Sequence, residues 1–178
     1  MKRKIIVSIA MSIDGYIAKN DEDYSWIRGD GFNSCESIEK WNYNRFIENV
    51  DVVLMGKNCY DMGFHKDFSD KKVYVATNSE IDNYDNIYFI KDDIESIILN
   101  EKNQSGKNIF LFGGGITISP FIEKNLIDEY IIGIIPIILG SGKKLFIKES
   151  MELELKLNRY FVEDGVAILN YQRRGGGE

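Results

Sequence analysis

The chain of 178 residues is long enough for one well-buried domain and short for two. With 44% apolar and 28% charged residues it is neither disordered, collagenous nor a coiled coil, and a net charge of -6 without an internal basic cluster argues against a nucleic-acid partner. Two cysteines, Cys35 and Cys59, are too few for a zinc site or a stapled secreted scaffold, so a reducing, cytoplasmic setting is expected.

Lys2-Arg3-Lys4 before the apolar stretch Ile5 to Met11 imitates an export signal, but Ser8 and Asp14 interrupt it and no small-x-small cleavage site follows. The continuous run Ile5 to Ala10 instead reads as a strand buried on both faces, followed by a long polar loop from Lys19 to Ser34. From Glu36 to Val50 the spacing of Ile38, Trp41, Phe46, Ile47 and Val50 predicts an amphipathic helix with Trp41 in the core. Strands are expected at Val52 to Met55, Lys72 to Ala76, Ile87 to Ile90 and Ile109 to Phe112, with a helix over Asp92 to Lys102. Another helix should run from Thr117 to Lys124, with Pro120 in its first turn.

The last third changes pattern. Tyr130 to Leu139 reads as a long isoleucine-rich strand, too short and too broken by Pro136 to cross a membrane. Leu153, Leu155 and Leu157 alternate with charged residues, and Asp164-Gly165 turns the chain into Val166 to Tyr171 as a hairpin partner. The expected fold is α/β in three layers, with a mixed, mainly parallel sheet and an antiparallel C-terminal hairpin. One domain is expected over 1–174 and a disordered tail over 175–178.

Three glycine-rich turns follow buried strands, at Ser12 to Ala18, Gly56 to Tyr60 and Gly113 to Thr117. Such turns bring backbone N-H groups close to phosphates, and two of them in one domain suggest a dinucleotide. His65, Cys35 and Cys59 lack partners in the sequence for catalysis or metal binding, and no metal is expected.

The segments AMSIDGYIA, VVLMGKNCY, FLFGGGITI and PIILGSGKKLF, in this order, resemble the dihydrofolate reductase superfamily, in particular its riboflavin-pathway C-terminal reductase branch and stand-alone relatives. The resemblance implies a dihydrofolate-reductase-like fold, NADPH as cofactor, and hydride transfer to a small heterocyclic, carbonyl or imine substrate; a homodimer through the C-terminal strands is expected because an isoleucine-rich edge strand left uncovered is an aggregation hazard. It assigns Ala10 and Ile17 to the nicotinamide carboxamide, with Ser12, Asp14 and Gly15 shaping the loop between them and Trp26 closing over it. Gly56, Lys57, Asn58 and Cys59 match the phosphate turn, Thr77 and Asn78 the adenosine side, and Gly114, Gly115, Ile116 and Thr117 the diphosphate turn.

Departures from the family pattern lie mostly on the substrate side. Lys57-Asn58-Cys59 stands where Arg-x-Thr is usual, and Phe112 stands where riboflavin-pathway reductases carry an acid. The zinc motif of the deaminase often fused to that reductase is absent from the sequence. Asp14, Glu36, Glu39 or water are the candidate proton sources, Trp26 or Phe32 the candidate caps, and Lys143 or Lys144 could meet an anionic substrate. Dihydrofolate reductase and a non-catalytic nucleotide-binding module are the alternative readings.

Overall fold

The computed structural model describes residues 3–148 and 151–174, and the tail expected over 175–178 lies outside the described residues. The apolar runs become strands Ile5–Ser12 (β1), Tyr16–Ala18 (β2), Val50–Gly56 (β3), Lys72–Ala76 (β4), Ile87–Ile90 (β5), Asn108–Gly113 (β6) and Glu129–Ile135 (β7). Lys143–Lys144 (β8), Leu155–Glu163 (β9) and Val166–Arg173 (β10) complete them. The helices are Tyr43–Glu48 (α1), Lys57–Asp61 (α2), Ile94–Lys102 (α3) and Gly115–Glu123 (α4), with a 3-10 segment at Phe64–Phe68.

Eight strands form one sheet in the order β5-β4-β3-β6-β1-β7-β10-β9. All pairs from β5 to β7 are parallel, and β10 runs antiparallel to both β7 and β9. The three most apolar strands, β1, β3 and β6, therefore sit centrally, where helices cover both faces. On one face Ile5, Val7, Leu54 and Leu111 pack against Ile98 of α3 and Ile118 and Phe121 of α4. On the other, Val53, Met55 and Phe110 pack with Phe68, Phe46 and Ile47. Each fully buried side chain of this kind contributes about 1.5 to 3 kcal/mol.

A buried ionic knot closes the amino end of the sheet. The Arg3 guanidinium, 5% exposed, donates to the carbonyls of Lys107 (2.6 Å) and Glu101 (3.0 Å) and pairs with Asp51 and with Glu101 (3.5 Å). Glu101 also accepts from Lys72 (2.6 Å) and the Tyr74 hydroxyl (2.7 Å).

Three expectations change. The helix from Glu36 to Val50 forms only over Tyr43–Glu48, capped by Asn42, whose side-chain oxygen accepts the Arg45 N-H at 2.8 Å. The residues before it run along β9 instead: Ser37 N-H donates to the Val162 carbonyl (3.0 Å) and Val162 N-H to Ser37 Oγ (2.9 Å). Ile38 is left exposed, and Trp41 is half-buried between Phe46 and Phe161 rather than in the core. Second, α4 starts at Gly115, so Pro120 falls beyond the first turn, where its missing N-H leaves the Ile116 carbonyl without an intrahelical donor.

Third, the isoleucine-rich strand stops at Ile135, before Pro136, and lies between β1 and β10. It is not an uncovered edge, so the exposed isoleucine strand from which a homodimer was expected does not exist; the edge strand is β9. Among the described residues no helix is long and apolar enough to cross a membrane.

Candidate functional site

Because β1, β3, β4, β6 and β7 are mutually parallel, their carboxyl ends meet along one rim, the usual ligand edge of an open α/β sheet. There the turns after β3 and β6 press together. A Cβ on Gly56 would stand 2.7 Å from Thr117 Oγ1, and one on Gly113 would stand 3.6 Å from Cys59 Sγ. Burial pushes the Cys59 thiol up, so it stays neutral rather than acting as a nucleophile.

Gly115 is crowded from the opposite side, since its Cβ would lie 2.5 Å from the Lys144 carbonyl oxygen. Gly114 differs: a Cβ there would meet nothing within 4 Å. The first α4 bond runs from Ile118 N-H to the Gly114 carbonyl (3.1 Å), so the N-H groups of Gly115, Ile116 and Thr117 are left without intrahelical acceptors beside this open space. An open cradle at the positive end of a helix fits the diphosphate of a dinucleotide.

Lys57, matched by resemblance to the phosphate turn, pairs with Asp61 at 2.5 Å and lies over the Tyr60 ring. Such a half-exposed pair is weak and exchanges readily for a phosphate. Asn58 in the same turn is exposed. Farther along the rim a cleft of about 180 Å³ opens between α3 and α4, lined by Thr77, Asn78, Lys91, Ile94, Ile116 and Pro120 among others. Thr77 is fixed by its N-H to the Ile90 carbonyl (2.9 Å), and Ile116 is 85% exposed, an apolar side chain offered to solvent in the cleft mouth. Lys91 at this cleft was not singled out from the sequence, because an isolated lysine after a strand carries no pattern.

The β1–β2 loop is held by Asp14. Its carboxylate accepts from Ser12 Oγ (2.7 Å), Leu139 N-H (3.0 Å) and Gly140 N-H (2.7 Å), and these bonds, Ser12 foremost, hold the carboxyl below its ordinary value. Asp14 thus clamps the loop after β1 to the loop after β7 and has no proton to give at neutral pH. Gly15, at φ +90°, makes the turn that lets Tyr16 and Ala18 pair with β8. Ile17 is buried, Ala10 half-buried. Trp26, expected in an open loop, is 4% exposed, and its indole N-H has no hydrogen-bond partner in the structure, so a donor stands available there.

The other proposed proton sources are displaced. Glu36 is bound to Lys40 at 2.5 Å, which holds its carboxyl below the usual value, and Glu39 faces Arg159 at 3.6 Å. Both belong to the segment lying along β9, three strands from β1, or roughly 14 Å at the usual strand spacing. Neither suits proton delivery beside Ala10. Lys143 is committed to Glu22, and Phe32 is exposed. His65 stacks on Tyr60 (4.3 Å between centroids) with Nδ1 at 3.0 Å from the Tyr60 carbonyl, and stays half-exposed.

Sequence reasoning missed an arc of aromatic rings on the face of the sheet opposite α3 and α4. Tyr24 meets Phe64 (5.9 Å), Phe64 meets Phe112 (5.3 Å), and Phe112 meets Phe110 (5.6 Å). Phe110 then meets Phe46 (5.0 Å), which touches Trp41 (5.7 Å), and Trp41 ends the arc on Phe161 (5.6 Å). These rings come from five separate stretches of chain, so no local spacing announces them.

The RibD C-terminal domain model matches residues 66–165. Two uncharacterized proteins of Bacillus subtilis (strain 168) align over most of the chain: YwjB, 34% identical over 166 residues (88% of this chain, 90% of YwjB), and YyaP, 30% identical over 192 residues (98% and 97%). A putative riboflavin biosynthesis protein from Shewanella sp. PV-4 superposes with a TM-score of 0.79 at 28% identity, over 96% of this chain and 99% of that one. The same fold recurs in the Thermotoga maritima diaminohydroxyphosphoribosylaminopyrimidine deaminase/5-amino-6-(5-phosphoribosylamino)uracil reductase (TM-score 0.69, 16% identity, 97% of this chain and 57% of that one). It also recurs in Enterococcus faecalis dihydrofolate reductase complexed with NADP(H) (TM-score 0.65, 13% identity, 98% of each chain). By the matched domain and by full-length likeness to YwjB and YyaP, the chain belongs to the RibD C-terminal domain family.

Proposed function

We propose that this chain is an NADPH-dependent reductase that passes a hydride to a small heterocyclic, carbonyl or imine substrate. The carrying observation is the pair of glycine turns locked against each other at Gly56 and Thr117, with the Gly114 side left open at the start of α4. Family membership supports a reductase, and the fold shared with an NADP(H)-bound relative supports a nicotinamide cofactor.

A bound dihydronicotinamide would supply the hydride; the chain supplies place and surroundings. N-H groups of Gly115 to Thr117, with Lys57 released from Asp61, would hold the diphosphate. Ile116, Ile94 and Pro120 offer apolar surface for an adenine, and Lys91 offers a cation for the ribose phosphate that distinguishes NADPH from NADH. Ala10, Ile17 and the partnerless Trp26 N-H would orient the carboxamide, and the Asp14 clamp would keep water out by holding the loop in place. With the carboxylates of Asp14, Glu36 and Glu39 all engaged, water is the proton source.

Fluorescence titration with NADPH and NADH tests this reading. Tight NADPH binding is expected, and Lys91→Glu should cut the preference for NADPH roughly tenfold, the size of one lost ionic contact of about 1.4 kcal/mol. Absence of binding to either dinucleotide would overturn the proposal. Binding without oxidation by any pterin, flavin-precursor or carbonyl acceptor would leave the nucleotide-binding module as the better account.

A further inference from the structure

We propose that Lys143 is a second cation for the cofactor's diphosphate and that Glu22 is its internal competitor, a carboxylate that the diphosphate must displace before Lys143 can take hold of it. This rests on the reductase reading and adds a residue pair to its cofactor groove.

The fold brings the pair to the cradle by way of β8. A Cβ on Gly142 would stand 2.3 Å from the Ala18 carbonyl oxygen, so glycine lets β8 close on β2, with Lys143 opposite Ala18 and Lys144 opposite Tyr16. The Lys144 carbonyl in turn rests against Gly115, in the first turn of α4. Lys143 thus stands one residue from the contact that borders the open Gly114 side. The charges of the pair also reach the sulfur between the two glycine turns. Burial is what chiefly pushes the Cys59 thiol up; the Glu22 carboxylate adds to the rise and the Lys143 ammonium opposes it.

Glu22 is fixed in a conformation that it would not choose. Its φ of +63° is left-handed, a region that residues with a Cβ seldom adopt. The turn is closed by the Glu22 N-H to the Lys19 carbonyl (3.2 Å). Asp23 braces it, pairing with Lys19 at 2.7 Å and accepting from the Ser25 N-H (2.9 Å) and hydroxyl (2.8 Å). Strain held by its surroundings in this way accompanies positions where the placing of a side chain matters. What it places here is the carboxylate on Lys143.

The pair is also easy to exchange, because its side chains are 46% exposed at Lys143 and 34% at Glu22. On the other flank of the cradle Lys57 is held by Asp61 in the same manner. A diphosphate that displaces both carboxylates trades two weak pairs for two cations and the N-H groups of α4, against the repulsion of a Glu22 left close by. The competitor therefore selects as well as weakens: an uncharged nucleoside carries nothing with which to open the pair.

Calorimetric titration with NADPH tests the exchange. Glu22→Gln should lower the dissociation constant about threefold, the worth of one half-exposed ion pair, and Lys143→Met should raise it by a similar factor. The gain is electrostatic, so binding to Glu22→Gln should weaken more steeply with salt than binding to the wild type, and the gap between them should close by about 1 M. Glu22→Gly suits the left-handed backbone and should tighten binding too, which keeps the test valid should the glutamine variant fold poorly. Glu154→Gln removes the same charge from the distant, exposed pair with Arg174 and should leave NADPH binding as it is. A wild type that binds NADPH would overturn the exchange, and leave the reductase reading standing, under any of three results: no tightening in the Glu22 variants, equal tightening in Glu154→Gln, or unchanged binding in Lys143→Met. Failure of NADPH to bind the wild type and both Glu22 variants would remove the two together.

Discussion

Gly114 and Gly115 are neighbours with opposite surroundings, and substitution separates their roles. Alanine at 115 drives a methyl against the Lys144 carbonyl and should cost about 1 to 3 kcal/mol in thermal or urea denaturation. Alanine at 114, whose φ of -60° suits any residue, should leave stability unchanged and instead raise the NADPH dissociation constant, because its methyl enters the open cradle. Equal loss of stability in both would refute the distinction. The turns at Gly56 and Gly113 were readable in the sequence because glycines end apolar runs there, although the atoms that exclude a Cβ, Thr117 Oγ1 at Gly56 and the Lys144 carbonyl at Gly115, come from distant parts of the chain. Burial of Trp26 was not readable: it lies in a mostly polar stretch with no apolar periodicity, and only the folded loop buries it.

Among the elements, those defined by their own apolar content came through, as with β1, β3 and β6. Those defined by a distant partner did not. Ile38 and Trp41 are spaced three apart as in a helix, yet Ser37 is captured by Val162 and Trp41 by Phe161, more than a hundred residues onward. The strand after Tyr130 ends early for a similar reason, since the Leu139 and Gly140 N-H groups go to Asp14 rather than to a ladder. That clamp joins two loops and has a pH signature. The folded carboxyl sits below its ordinary 3.8, so the clamp is intact above that value and is lost as pH falls through the lower, folded one. Acid titration followed by tryptophan fluorescence should show this local transition in the wild type. Asp14→Asn should remove it and raise the KM for NADPH several-fold at neutral pH; an unaltered transition in the variant would assign it to another group.

For the molecule as a whole, the ionic knot and the proposed cofactor rim lie at opposite ends of the sheet. The knot around Arg3 ties β1, β3, β4 and α3 at the amino end, while the carboxyl rim is built of loops. Arg3→Ala would leave Glu101 buried with its other partners but without the guanidinium, at a cost of about 3 to 5 kcal/mol, measurable by urea denaturation. NADPH binding near saturation should be retained at temperatures where the variant is folded, since the two ends share no side chain. Finally, the placement of the sulfur between the two glycine turns gives the protein a built-in footprint. Cys35 is exposed and should alkylate first, whereas Cys59, half-buried and with its thiol pushed up, should react slowly. A dinucleotide lying across Gly114 would shield the slow thiol and not the fast one, so mass spectrometry of a labelled time course could map occupancy without following turnover at all.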